Sequence, residues 1–240
     1  MTDSLPAPEL IGDLVAANRI LAQQGVLDGF GHVSVRLDSD PTRFLMSRSL
    51  APELVTAADI LIYDLDGNAA NAAGRALYRE RFIHSAIYKA RPDVQSIVHN
   101  HSPSIIPFGV NSLPLRPVYH MAAFIGERVP VFDIRRYCGM TDMLVSAPDR
   151  ARGLVEVLGN STAVLMRGHG STVVGSTILV AVGRSIYLEM NARLQAQAIG
   201  LGGEVTYLDP QEAQKIMVEL RENDGYERPW ALWKKQVALA

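Results

Sequence analysis

The stretch Val94–Ser102 (VQSIVHNHS) sets the tightest constraint on this chain. It reads as a short apolar strand closing on His99-Asn100-His101. Successive strand side chains point to opposite faces, so the two imidazoles share one face. Two neutral imidazoles at a strand end make a bidentate grip on a divalent metal, and they need one or two further ligands from elsewhere. A helical pattern from about Tyr78 to Ala90 and the breaker Arg91-Pro92-Asp93 precede the stretch. The chain must therefore build a helix, turn and strand unit with its histidines at the far end.

The rest of the chain alternates in the same way. Apolar residues Leu10, Ile11, Leu14, Val15, Ile20 and Leu21 recur at helical spacing, with Gly25 placed to cap the end. His32–Leu37 and Phe44–Ser47 read as a hairpin around the turn-rich Asp38-Ser39-Asp40-Pro41, and Ile60–Leu65 as a strand entering a tight turn at Asp66-Gly67. Val129–Ile134 predicts another strand. Thr141 or Asp142 is the expected cap of a helix running to Leu158. Thr162–Arg167 is a buried-type strand interrupted by Gly168-His169-Gly170, and a long apolar helix follows from Thr177 to Gln197. A short run Val205–Leu208, a helix from Pro210 to about Arg221, and a tail carrying Trp230 and Trp233 complete the pattern. Helices and strands interleave throughout, without repeats or a linker, which predicts one α/β layer domain over residues 1–240.

Composition narrows the function classes. The net charge is -2 and Lys and Arg are scattered, so no basic stripe for nucleic acid is present. One cysteine, Cys138, excludes an intramolecular disulfide. The opening MTDSLPAPEL lacks a secretory pattern and no apolar run reaches membrane-spanning length, so a cytoplasmic location with no membrane partner is expected.

Two residues are candidate partners for the histidine pair. Glu80 lies on the preceding helix, with His84 one turn later on the same expected face. His169 is flanked by glycines that let the backbone come close to a ligand at a strand end. His99, His101 and His169 would supply three nitrogens and leave positions for Glu80, water or substrate. That is the pattern of a catalytic rather than a structural site. Zn2+ or Mn2+ is the expected ion, and Co2+ or Fe2+ would also suit the set.

The run Glu80–Pro103 (ERFIHSAIYKARPDVQSIVHNHSP), joined with Leu165–Gly170 (LMRGHG) and with Gly31–Arg36 (GHVSVR), resembles the class II aldolase/adducin superfamily. The resemblance implies a three-layer α/β/α fold with a central mixed, largely antiparallel sheet. It also implies metal ligation by His99, His101 and His169, with Glu80 as the acid/base that joins the metal when substrate is absent. Assembly as a four-fold symmetric homotetramer is implied too, with residues 222–240 as a tail whose Tyr226, Trp230 and Trp233 would pack on a neighbouring subunit's pocket.

Sugar-phosphate members hold phosphate with an Asn in the glycine element, a Thr-Gly turn after the next strand and a Ser-Ser pair before the Glu. Here His32, Ser47-Arg48-Ser49 and Tyr78-Arg79 stand in those places. Arg48 and Arg79 suit a substrate carboxylate, while Tyr78, Tyr119 and Phe124 suit the faces of an aromatic ring. Arg116–Phe124, Val131–Arg135 and Thr141-Asp142-Met143-Leu144 look similar to a branch of decarboxylases acting on dihydroxyphthalate or a hydroxymethylpyridine dicarboxylate. The expected activity is thus metal-dependent decarboxylation of a hydroxylated aromatic or heteroaromatic acid. Glu80 or His120 would transfer the proton, and His32, Arg48, Arg79, Tyr78, Tyr119 and His84 would contact substrate. The alternatives are an aldolase or epimerase acting on a sugar phosphate or sugar-derived carboxylate and, more remotely, a non-catalytic adducin-like interaction domain.

Overall fold

A computed structural model describes residues 6–222 and 225–238. The first residues of the polar start and the last two of the tail lie outside that range. Helix α1 (Pro8–Gln23) opens on a proline in its first turn and buries Leu14, Ala17, Ile20 and Leu21. Gly25 ends it at φ +70, with the Val26 N–H returning to the Leu21 carbonyl at 2.9 Å, as the spacing predicts.

Strands β1 (His32–Leu37), β2 (Asp40–Ser47) and β3 (Ile60–Asp64) form an antiparallel meander. Strand β2 begins earlier than the sequence pattern suggested. The turn needs only Asp38 and Ser39, and Pro41 is accommodated beside a register shift at Arg36/Leu37. Helix α2 is Arg81–Ala90 and β4 is Ser96–Asn100. A short α3 (Ile106–Val110), a 3-10 turn (His120–Ile125), β5 (Val131–Phe132) and α4 (Arg135–Cys138) lead to α5 (Pro148–Leu158). Then come β6 (Ala163–Met166), β7 (Gly170–Gly175), α6 (Ile178–Gly200), α7 (Pro210–Glu222) and α8 (Glu227–Ala238).

The strands form one sheet in the order β3-β2-β1-β4-β7-β6-β5, antiparallel except for the parallel β5–β6 pair. Strand alternation sorts the core. Val33, Val35, Leu45 and Val98 face α1, α6 and α8, whereas Phe44, Met46, Ile97 and Val164 face α2 and α5. Each such fully buried side chain contributes about 1.5–3 kcal/mol relative to exposure. The result is the expected α/β/α sandwich with a largely antiparallel sheet.

Four local expectations are corrected. Helix α2 starts at Arg81 rather than Tyr78, with Glu80 at its N-cap position. The strand expected over Val129–Ile134 shrinks to two residues, because the Asp133 carboxylate accepts the Arg135 N–H (3.1 Å) and turns the chain into α4. Thr141 and Asp142 cap no helix. Their side chains accept the Met143 and Leu144 N–H groups, Met143 sits at φ +66, and α5 waits for Pro148 after the extended Ala147. Val205–Leu208 is irregular and packs on the segment before the 3-10 turn, with the Leu208 N–H on the Pro117 carbonyl.

The tail is anchored on its own chain. Trp230 and Trp233 join the core formed with α1 and α6, and the Tyr226 ring fills the space that Gly183 leaves on α6. Among the described residues no helix is long and apolar enough to cross a membrane.

Candidate metal centre

Four elements deliver four ligand groups. Glu80 arrives at the start of α2, His99 near the end of β4, His101 just beyond it, and His169 in the turn between β6 and β7. His99 lies on the sheet face that carries α2, and alternation turns His101 the same way. Gly168 (φ +63) gives the β6–β7 turn its left-handed step, so that the His169 N–H reaches the Met166 carbonyl at 3.0 Å. Gly170 lets β7 lie hard against β4: a Cβ there would stand 1.9 Å from the Asn100 carbonyl oxygen.

One ligand atom from each of Glu80, His99, His101 and His169 lies within 4.8 Å of the others. The His169 and His101 Nε2 atoms are 3.0 Å apart, and Glu80 Oε2 lies 3.4 Å from His99 Nε2 and 3.5 Å from His169 Nε2. Donors about 2.0–2.2 Å from a tetrahedral ion stand about 3.3–3.6 Å apart, a range that holds both Glu80 separations and that the two imidazoles reach by parting a few tenths of an ångström, so the group could hold one divalent metal.

The protonation pattern fits as well. His99 Nδ1 must donate to the Ser171 carbonyl (3.1 Å), because a carbonyl only accepts. In the neutral ring, the form a metal would need, that leaves Nε2 as the lone-pair nitrogen, buried and without a hydrogen-bond partner. The Val145 N–H donates to Glu80 Oε1 at 2.8 Å, which frees Oε2 for the cluster. Burial alone would raise the Glu80 pKa, but His99 and His169 outweigh it and hold the carboxyl well below the usual carboxylate range. Burial, reinforced by His99 and His169, pushes His101 down to about 4. At neutral pH the centre thus offers an ionised carboxylate and a neutral His101.

Chain comparison identifies the lineage of this arrangement. Residues 12–196 match the family described as Class II Aldolase and Adducin N-terminal domain. The chain belongs to that family. It is 34% identical to the decarboxylase tropJ of Talaromyces stipitatus, over 98% of this chain and 96% of that protein. It is 30% identical to a 3,4-dihydroxyphthalate decarboxylase of Terrabacter sp., over 96% and 95%. The L-fuculose 1-phosphate aldolase from Glaciozyma antarctica PI12 superposes with a TM-score of 0.78 at 28% identity, covering 99% of this chain and 93% of that one. This class II aldolase family member is an enzyme, a lyase.

Around the centre of this aldolase-family lyase the expected contacts divide. His32 on β1 is the direct cross-strand neighbour of His99, with ring centroids 5.0 Å apart, and it also meets the Tyr78 ring, with centroids 4.6 Å apart. The Tyr78 hydroxyl is anchored on the Leu50 carbonyl at 2.5 Å, so its ring is presented rigidly. Arg79 is exposed and shares Asp142 with Arg150; its own contact, at 3.2 Å, is longer than the 2.6 Å of Arg150. Arg48 is held by Asp59 at 2.6 Å.

His120 and Tyr119 are not brought to the metal centre within one chain. His120 is exposed, in a cavity of about 980 Å³ that Tyr187, Arg228 and Leu232 also line, and that none of the four ligand residues lines. The Tyr119 hydroxyl lies 3.3 Å from the Met190 sulfur, on α6. Phe124 belongs to the core cluster under the 3-10 turn rather than to a substrate wall.

His84 does not share a face with Glu80, because Glu80 precedes the helix. It points instead into the sheet, where Nε2 meets His32 Nδ1 at 2.6 Å and Nδ1 meets Ser34 Oγ at 2.6 Å. Ser34 and Tyr88 escaped notice in the sequence, although strand alternation from His32 and the four-residue helical step from His84 both lead to them. The Val145 N–H carried no sequence signal, since it depends on a loop fold.

Burial, with His99 adding to it, lowers the His84 pKa from 6.5 to about 3. The unfolded chain takes up a proton there near pH 6.5 while the folded chain refuses it. Stability is therefore full above that pH and falls as pH drops from 6.5 toward 3. His84→Gln is expected to flatten that part of the Tm-against-pH curve. An unchanged slope in differential scanning calorimetry would refute the assignment.

Proposed function

We propose that this enzyme decarboxylates a hydroxylated aromatic or heteroaromatic (di)carboxylic acid, using a divalent metal ion held by His99, His101, His169 and Glu80. The observation that carries the reading is the convergence of three imidazoles and an ionised carboxylate beside the flat His32 and Tyr78 rings, in a chain similar over nearly its full length to decarboxylases. When bound, the ion would supply a Lewis acid at the oxygen of a ring hydroxyl; the three imidazoles suit zinc, and the carboxylate leaves room for manganese.

The chain's own groups do the rest. Glu80 Oε2 takes the hydroxyl proton as substrate binds. The bond between ring carbon and carboxylate breaks, its electron pair stays on the ring carbon, and carbon dioxide leaves. Glu80 then returns the proton to that carbon. The Tyr78 ring lies against one side of the substrate. Arg79, whose Asp142 partner is shared with Arg150, meets a second carboxylate at the rim.

Metal-reconstituted enzyme is expected to release carbon dioxide from dihydroxyphthalate-type acids and to lose that activity on chelation. Aldehyde release from fuculose 1-phosphate without any carbon dioxide release would replace this reading with the aldolase one. The proposal extends to a homotetramer, which light scattering checks.

A further inference from the structure

The buried polar chain behind the metal centre has a direction. His32, His84, Ser34 and Tyr88 are all at most 3% exposed, so each of their protons must be placed within the network or on a neighbouring carbonyl. Three short contacts link them: His32 Nδ1 to His84 Nε2 at 2.6 Å, His84 Nδ1 to Ser34 Oγ at 2.6 Å, and Ser34 Oγ to Tyr88 Oη at 2.8 Å. A nitrogen to nitrogen hydrogen bond requires one N–H and one bare lone pair, so two polarities exist.

In the first, Tyr88 donates to Ser34, Ser34 to His84 Nδ1, and His84 Nε2–H to His32 Nδ1. In the second every arrow reverses, and the Tyr88 hydroxyl must send its proton elsewhere. The acceptor within reach is the Gln95 carbonyl, 3.5 Å away and already accepting the Arg36 N–H at 2.8 Å. The first polarity places the Tyr88, Ser34 and His84 protons in short bonds and leaves the His32 Nε2–H as the network's proton open to a bound ligand. The second leaves a buried phenol with one bond at the limit of useful length.

We propose that Tyr88, Ser34 and His84 are positioning residues that fix His32 as the Nε2–H tautomer, so that its free ring edge presents an N–H donor to the substrate. His32 Nδ1 is taken by His84, and the ring stands directly across from His99. The group it recognises is an acceptor without a proton of its own: a carboxylate or phenolate oxygen of the bound acid. A neutral hydroxyl meets the same donor less strongly, because bonds to charged acceptors are about twice as strong as neutral ones. The nature of the recognised ligand rests on the decarboxylase reading; the tautomer does not.

Neutron diffraction from metal-loaded, deuterium-exchanged crystals tests the tautomer. Deuterium is expected on Nε2 of both His32 and His84, with the Ser34 hydroxyl aimed at His84. Deuterium on His32 Nδ1 overturns the proposal, whatever the substrate proves to be. The functional half is read by a double-mutant cycle on kcat/KM, with metal content measured alongside. Ser34→Ala is expected to cost about three- to tenfold, the worth of one hydrogen bond, in the parent and nothing further in a His32→Asn background. Equal losses in both backgrounds overturn it. Tyr88→Phe, which keeps the ring, replaces Ser34→Ala if that variant does not fold, with the same two outcomes.

Discussion

Glu80→Gln is expected to lower turnover by about 10²–10⁴-fold while leaving metal content near that of the parent enzyme. The two side chains have nearly the same shape. A Gln carbonyl oxygen in the place of Oε1 still accepts the Val145 N–H, so the side chain stays where the 2.8 Å bond holds it. The charge is lost, and with it the ability to take a hydroxyl proton and return it to carbon. His99, His101 and His169 remain as three nitrogen ligands, enough to keep an ion in place. Single-turnover kinetics on the proposed acid, with metal analysis of the same samples, separates the roles. Parent-like turnover would remove Glu80 from the chemistry. Loss of metal in parallel with activity would make it a ligand first and a base second.

The other large effect is expected from a residue with no side chain. Gly170→Ala places a methyl 1.9 Å from the Asn100 carbonyl oxygen and 2.9 Å from the His101 Cα. Both obstacles are backbone, so no rotamer change relieves them. Either β7 moves away from the end of β4 or His101 is displaced. Overpacking of this kind costs about 1–3 kcal/mol, and more where backbone must move. For a chain of this size that is a Tm lower by about 2–12 °C. Metal affinity is expected to fall as well, because His101 and His169 lie on opposite sides of the clash. Gly168→Ala is the control: its Cβ would meet the flexible Met143 terminus at 3.3 Å, and the cost is a left-handed alanine of about 1–2 kcal/mol. Parent-like metal affinity and Tm in Gly170→Ala would show that the strands have room to separate.

How much of this was legible in the sequence depended on the range of the interaction. His99 and His101 on one face follow from alternation alone. His169 between two glycines advertised an unusual backbone, and Gly25 ended α1 as placed. These features are decided within a few residues. The start of α2 is decided at longer range, because the bonds of the Arg81 guanidinium to the Tyr78 and Gly67 carbonyls fasten the residues before the helix as a turn. Thr141 and Asp142 are good helix caps in sequence, yet the same side chains serve turns equally well, and here they do. The actual role of the Thr141–Val145 segment, offering the Val145 N–H to Glu80, depends on Arg150 gripping both Asp142 and the Leu144 carbonyl from α5. No local pattern carries that. His120 is a candidate proton donor through its place in Arg116–Phe124, the segment similar to the decarboxylase branch, but the 3-10 turn that holds it packs on α6 and α7, away from the other imidazoles.

The pairing of His32 with His99 across β1 and β4, and of His99 with Thr172 across β4 and β7, makes the sheet register an address system for the chemistry. A slip of one residue on either side would turn an imidazole to the opposite face, against α1 and α6, and nothing in the local sequence would correct it. The ligands are gathered from distant points of the chain, at residues 80, 99, 101 and 169, and what aligns them is completed long-range pairing rather than any autonomous loop. The metal centre therefore cannot precede the fold. A measurement of metal binding would also report whether the central strands have closed in the correct register.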